Sequence, residues 1–196
     1  MTNDQLPPCL TELDLDFEVG EIFFRLRSVF HVSWPQCLST TDLHDLTIFV
    51  LHKLLAWSPK ATEIDFSPAV AASQCVRYAV ALYMLILQGP AYFSHAHLQA
   101  NLLSHLKHHL DSILNLLSIH DGPLTLWMLS VGMVASHDIP EYYWFTSKAK
   151  VLGNILHLHT WNDFVCCFEK VLWSRMQRAE HLFQTRWEEA WATDAT

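Results

Sequence analysis

Between Leu124 and Trp173 the chain reads LTLWMLSVGMVAS, then IPEYYWFTSKAKVLGNILHLH, then TWNDFVCCFEKVLW. These are three apolar segments of helical length, each carrying tryptophan and separated by little else. Trp127, Trp144, Trp161 and Trp173 fall one to a segment boundary or face, and Gly132 lies in the middle of an apolar run. The apolar residues recur with the helical period and not with the alternation of a strand. Side chains of this size are hidden only where several helices pack on one another. The stretch therefore calls for a multi-helix core. No acids and bases gather in it, so it marks architecture and not a reaction centre.

The rest of the chain continues the pattern. Residues 1–8 read as flexible. Residues 10–21 alternate acids (Glu12, Asp14, Asp16, Glu18) with apolar residues (Leu13, Leu15, Phe17, Val19). That composition resembles an acidic activation segment, but a strap laying its apolar side chains on the helical core is the favoured reading. A helix follows over 21–31. Thr40 or Thr41 can cap the next one, with Asp42 and Asp45 in its first turn and Leu43, Leu46, Phe49, Val50, Leu54 and Trp57 along one side. The apolar run 69–87 contains Ser73, Gln74 and Arg77, so it reads as a buried core helix and not a membrane span; Gly89-Pro90 stops it. Over 94–117, Leu102, Leu103, Leu106, Leu110, Ile113, Leu114 and Leu117 fall within an arc of roughly 120°. Gly122-Pro123 and Pro140 open the next two helices, the second over 141–158, and a last helix covers 175–191. The expected fold is all-α: about eight helices in a single domain over 21–196, behind a flexible acidic segment over 1–20.

Charge narrows the partners. The net charge is −8, and the first 66 residues hold ten acids against four bases. Such a surface offers few phosphate contacts, so no direct nucleic-acid partner is expected. The five cysteines are odd in number and irregular in spacing, and Cys166 and Cys167 are adjacent in an apolar helix; they read as buried thiols in a reducing compartment. The polar N-terminus has no secretory h-region.

The candidates for chemistry are weak. His105 and His109 stand four apart on one flank, a spacing that can bind metal, but the run is HLKHH and lacks the glutamate of a zinc-protease helix. His95, His97, His108, His157 and His159 read as polar-face or helix-end residues. Cys166 and Cys167 point about 100° apart and rarely share a metal. Nucleophile elbows and Gly-rich phosphate loops are missing. All-helical terpenoid enzymes need clustered aspartates for Mg²⁺, whereas Asp42, Asp45 and Asp111 are isolated in sequence. No catalytic, cofactor-binding or metal-binding residue is expected, and no enzyme. Lys148, Lys150, Arg175, Arg178 and Arg186, interleaved with Glu169, Glu180, Glu188 and Glu189, read as a solvated face.

One set of residues carries a likeness. Cys75-Val-Arg77-Tyr78-Ala-Val-Ala-Leu-Tyr83, then Leu126-Trp127 with Gly132 and Ala135, then Trp144-Phe145, Trp161 and Leu172-Trp173 resemble, in order and spacing, the C-terminal regulatory region of fungal zinc-cluster transcription factors. The likeness covers 73–191. The family's six-cysteine, two-zinc DNA-binding module has no counterpart in the five cysteines here. The resemblance implies a nuclear, all-helical regulatory domain without its own DNA-reading head, with cytoplasm the alternative location. It implies control of gene expression, often of metabolic gene clusters, through a protein partner such as a full-length zinc-cluster factor. The alternative is an effector-sensing domain that binds a small apolar ligand, with Tyr78, Tyr83, Trp127, Tyr142 and Trp144 as its lining. No membrane partner is expected.

Overall fold

The computed structural model describes residues 15–32, 38–57, 68–89, 95–114 and 122–192. Among these residues there are eight helices and no strand: α1 (Phe17–Val32), α2 (Thr40–Ala56), α3 (Pro68–Gln88), α4 (His95–Ile113), α5 (Gly122–Ala135), α6 (Glu141–Ile155), α7 (Trp161–Glu169) and α8 (Gln177–Ala192). The protein is all-α, as its periodicity predicts. The expected flexible segment up to residue 14, residues 58–67, Cys9, Cys37 and Leu117 lie outside the described residues.

Helix α3 is the hub. It is buried without a break from Cys75 to Leu85 and packs most extensively on α4, then on α2, α5, α1 and α8. A helix apolar on every side belongs at the centre of a bundle. Its stretch Ala69–Gln88 is long and apolar enough to cross a bilayer, and 72% of its apolar 18-residue window is buried inside the protein. Ser73, polar in this apolar run, has a packing role. Its Oγ donates to the Ala69 carbonyl (2.9 Å) and accepts the Asp16 N–H (2.8 Å), which ties the start of α1 to the hub. Gly89 closes α3 in the left-handed region (φ 76°), its N–H bonded to the Leu85 carbonyl.

Helix α1 starts at Phe17, earlier than the expected 21, because Asp16 caps it: Asp16 Oδ1 accepts the Glu18 N–H at 2.9 Å. Helical geometry then turns Phe17 and Val19 about 160° apart. Val19 is buried with Phe23, Leu26 and Phe30, whereas Phe17 is 79% exposed. The alternating strap is replaced from residue 17 onward by an amphipathic helix. The cap of α2 is Ser39, not Thr40 or Thr41: the Asp42 N–H donates to its Oγ at 3.1 Å. The buried face of α2 is Leu43, Thr47, Val50 and Leu54. Phe49, about 120° round from Leu43, leaves that face and is 51% exposed.

Helix α5 is buried all round from Leu124 to Met133. Gly132 lets α6 approach it, since a Cβ there would overlap the Phe145 ring. Helix α6 ends at Ile155, short of the expected 158. His157 adopts φ 55° there and donates its N–H to the Asn154 carbonyl, while the Leu158 N–H reaches the Gly153 carbonyl. This is a Schellman closure with histidine in the place glycine prefers. His157→Gly is expected to stabilise the protein by about 0.5–1 kcal/mol, the left-handed cost of a side chain less the entropy cost of glycine. Thermal unfolding checks it, with a rise of a few degrees expected; an unchanged or lower midpoint would contradict the strain argument.

Helix α7 opens with a capping box in which Thr160 Oγ1 accepts the Asp163 N–H and Asp163 Oδ2 accepts the Thr160 N–H. Aromatic rings join α7 to α8: Phe164 lies 5.0 Å from Trp191 and 5.4 Å from Trp187, and the two tryptophans stack at 5.5 Å. Helix α8 starts at Gln177, two residues later than expected. The link before it belongs to no regular element, and there the Ser174 N–H donates to Tyr83 Oη at 2.8 Å.

Candidate functional site

The histidines singled out by spacing fall into a packed seam. His105 and His109 lie nearly parallel to the Tyr78 ring, at 5.1 and 5.8 Å. The Arg77 guanidinium stands 5.0 Å from the same ring and 5.3 Å from Trp57. Arg77 is only 9% exposed and meets no carboxylate among the described residues. It donates to Gln74 Oε1 (3.1 Å) and the Leu55 carbonyl (3.4 Å), and two aromatic faces complete its surroundings. Burial lowers the Arg77 pKa from its ordinary value. Burial, then the positive charges of His108, His105 and Arg77, hold His109 below the usual histidine range. The seam joins α2, α3 and α4. Among the described residues no three of His, Cys, Asp and Glu gather as a metal would require.

The thiols are separated. Cys75 is buried, and burial pushes its thiol up to about 12, so it stays protonated at neutral pH. Cys167 is buried while its neighbour Cys166 is exposed, as adjacent helical positions dictate. The five aromatics proposed to line an effector pocket occupy three places. Tyr83 and Trp127 meet in the core at 5.5 Å, Tyr78 sits in the seam, and Tyr142 and Trp144 are half-buried on α6. None of them lines the cavities described next.

Two features face solvent. The first is a groove of about 520 Å³ between α1 and α2. Both helices lean on α3 and hardly touch each other. Phe17, Ile22 and Val29 form one wall and Leu46, Phe49 and Val50 the other, with Glu18, Glu21, Arg25 and Lys53 on the rim. Arg25 is held by Glu21 at 2.6 Å. A second hollow of about 810 Å³ flanks α1 on its other side, over Leu15, Gly20 and Phe24. Phe17, Glu21, Arg25 and Val29 border both hollows.

The second feature is a cavity of about 300 Å³ where the last turn of α1 meets the α7–α8 link. It is lined by Arg27, Phe30, His31, Glu169, Trp173 and Arg175. Arg175 Nε donates to Glu169 Oε1 at 2.6 Å. Arg27 Nε and Trp173 Nε1 are buried and find no acceptor among the described residues.

Sequence reasoning missed both features. The groove had a local signal: Phe49 sits too far round α2 to share the Leu43 face. The cavity had none, because Arg27 and Trp173 are brought together only by the packing of the chain's two ends. Comparison of the chain with protein-family models, with curated proteins and with solved structures finds no match.

Proposed function

We propose that this chain is a regulatory domain of the fungal zinc-cluster transcription-factor kind, acting through protein contacts and not by catalysis. The observation that carries the reading is the open apolar groove between α1 and α2, with Phe17 and Phe49 each more than half exposed on its walls. The ordered likeness from Cys75 to Trp173 supports it, and so does the acidic first third of the chain. An apolar groove with a balanced rim of Glu18, Glu21, Arg25 and Lys53 suits a protein segment that brings apolar side chains and mixed charge. It does not suit phosphate. The proposed partner is a full-length zinc-cluster factor that supplies the DNA-reading head, and the proposed setting is the nucleus.

Phe17→Asp with Phe49→Asp tests this. Both side chains lie outside the core, so stability is expected to move by no more than about 0.5 kcal/mol per site. Affinity purification from nuclear extract is expected to recover a zinc-cluster regulator with the wild type. The double variant should retain it at least about tenfold less well, the loss of ~1.4 kcal/mol or more that follows removal of aromatic anchors. Equal recovery by both proteins, or tight and steeply salt-dependent DNA binding by the purified chain alone, would overturn the reading.

A second reading, effector sensing, is favoured by one observation. Helix α1 walls the groove from Phe17 to Val29 and the Arg27–Trp173 cavity with Arg27, Phe30 and His31.

A further inference from the structure

Helix α4 concentrates histidine. Over His95–Ile113 it holds His95, His97, His105, His108 and His109, with Lys107 its one lysine and Asp111 its one acid. With the imidazoles neutral the helix carries no net charge, and each imidazole that takes a proton adds one positive charge. Two of these side chains lie against the hub. His105 and His109 are inclined by 12° and 15° to the Tyr78 ring, 5.1 and 5.8 Å from it, and Tyr78 is buried beneath them. The Arg77 guanidinium stands over the same ring at 5.0 Å, and the His108 ring meets His109 at 5.4 Å.

Among the described residues no carboxylate acts on His109. The charges that reach it are those of His108 and His105 on its own helix and of Arg77 on α3. Helix α4 packs on α3 and α5. Arg77 is the only charged residue of α3, and α5 has none. From α2 come Trp57 and the Leu55 carbonyl, both against Arg77. Asp111 lies about 160° round α4 from His109, and Lys107 reaches out to the Trp144 ring at 5.9 Å.

We propose that the α3–α4 seam is an acid-sensitive latch, in which proton uptake at His109 loosens α4 from the hub and uncovers Tyr78. A proton there puts a charge on a half-buried ring that has cations for neighbours and no carboxylate to receive it. The face of a tyrosine attracts cations, but Arg77 and His105 both lie closer to Tyr78 than His109 does. Loosening α4 returns the imidazole to water and draws it away from Arg77, so the proton and the closed seam oppose each other. Linkage gives the direction. Burial first, then the neighbouring positive charges, hold the closed-state His109 below the ordinary value of 6.5, so the open state binds more protons as the pH falls. The latch is fully closed above the ordinary histidine value and weakens as the pH drops through it towards the depressed one. The α1–α2 groove plays no part in this.

The test uses the full chain and measures amide hydrogen exchange on either side of the ordinary histidine value, at about pH 7.5 and about pH 5.5. Each rate is corrected for the intrinsic dependence of exchange on pH. Protection at Leu106 and Leu110 of α4 is expected to fall at least about threefold in acid, while Phe168 of α7 and Phe183 of α8 keep theirs. His109→Gln keeps a planar polar side chain that takes no proton, and it should abolish most of the acid loss in α4. His181→Gln, on the exposed face of α8, should leave that loss as it is in the wild type. Equal loss of protection in α4, α7 and α8 would mean that acid weakens the whole bundle, and it overturns the latch. So does α4 protection that is the same at both pH values, or an acid loss in α4 that survives in His109→Gln. If His109→Gln does not fold, the wild-type comparison of α4 with α7 and α8 decides.

Discussion

Replacing Gly132 by valine is expected to destabilise the protein by about 3 kcal/mol, the upper part of the range for overpacking a filled core. Gly132 sits mid-helix in α5, where exchange for a larger residue would ordinarily gain up to ~1 kcal/mol of helix propensity. Here a Cβ would overlap the Phe145 ring. Phe145 is fully buried and meets Trp144 edge-on at 4.9 Å, so the ring cannot swing aside without moving a second one. Alanine already brings the clash, and valine adds two methyl groups with a restricted χ1. For a chain of this size ~3 kcal/mol lowers the thermal midpoint by roughly 6–12 °C. Circular dichroism melts measure it. Phe145→Leu, which shortens the obstructing side chain, should recover part of the loss in the valine background. A double-mutant cycle with no coupling between the two positions would mean that the α5–α6 approach is not what requires glycine.

Tyr83 carries the second large effect. Its fully buried ring contacts Phe30 of α1, Trp127 of α5, Trp173 of the α7–α8 link and Phe183 of α8. One side chain on α3 thus joins four other parts of the bundle. Its hydroxyl accepts the Ser174 N–H, and burial raises the phenol pKa, keeping it neutral. Tyr83→Ala is expected to cost about 3–5 kcal/mol, as other buried aromatic truncations do. Tyr83→Phe keeps the ring and leaves the Ser174 N–H without an acceptor, an expected cost of about 1–3 kcal/mol. Chemical denaturation gives both values, and hydrogen exchange at the Ser174 amide should quicken in the phenylalanine variant. A Tyr83→Phe protein as stable as the wild type, with Ser174 exchange unchanged, would mean that the hydroxyl is not holding the link.

Whatever was legible in the sequence depended on local periodicity. The leucines of α4 from Leu102 to Leu110 form a stripe in the sequence and a buried stripe in the structure. The unbroken apolar stretch of α3 reads as the centre of a bundle and occupies it. The ends of elements were less legible, because several residues nearby could serve. Ser39 caps α2 although Thr40 and Thr41 offer the same chemistry, and His157 closes α6 in a conformation that histidine's composition does not advertise. The surface sites were least legible. The groove exists because α1 and α2 both rest on α3 with a gap between them, and spacing within either helix does not encode a gap between two. The histidines drew notice by spacing alone, and the packing places them against Tyr78 and near a buried cation, a poor setting for a metal ion.

The proposed role stands or falls on whether the domain acts on transcription through its α1–α2 surface. The direct measurement fuses the chain to an unrelated DNA-binding domain and reads a reporter gene downstream of that domain's site. Transcription should change when the wild-type chain is tethered. The change should disappear with Phe17→Asp and Phe49→Asp, while the fused protein remains folded and equally abundant. A tethered wild type that leaves the reporter untouched, or a groove variant as active as the wild type, would contradict the account.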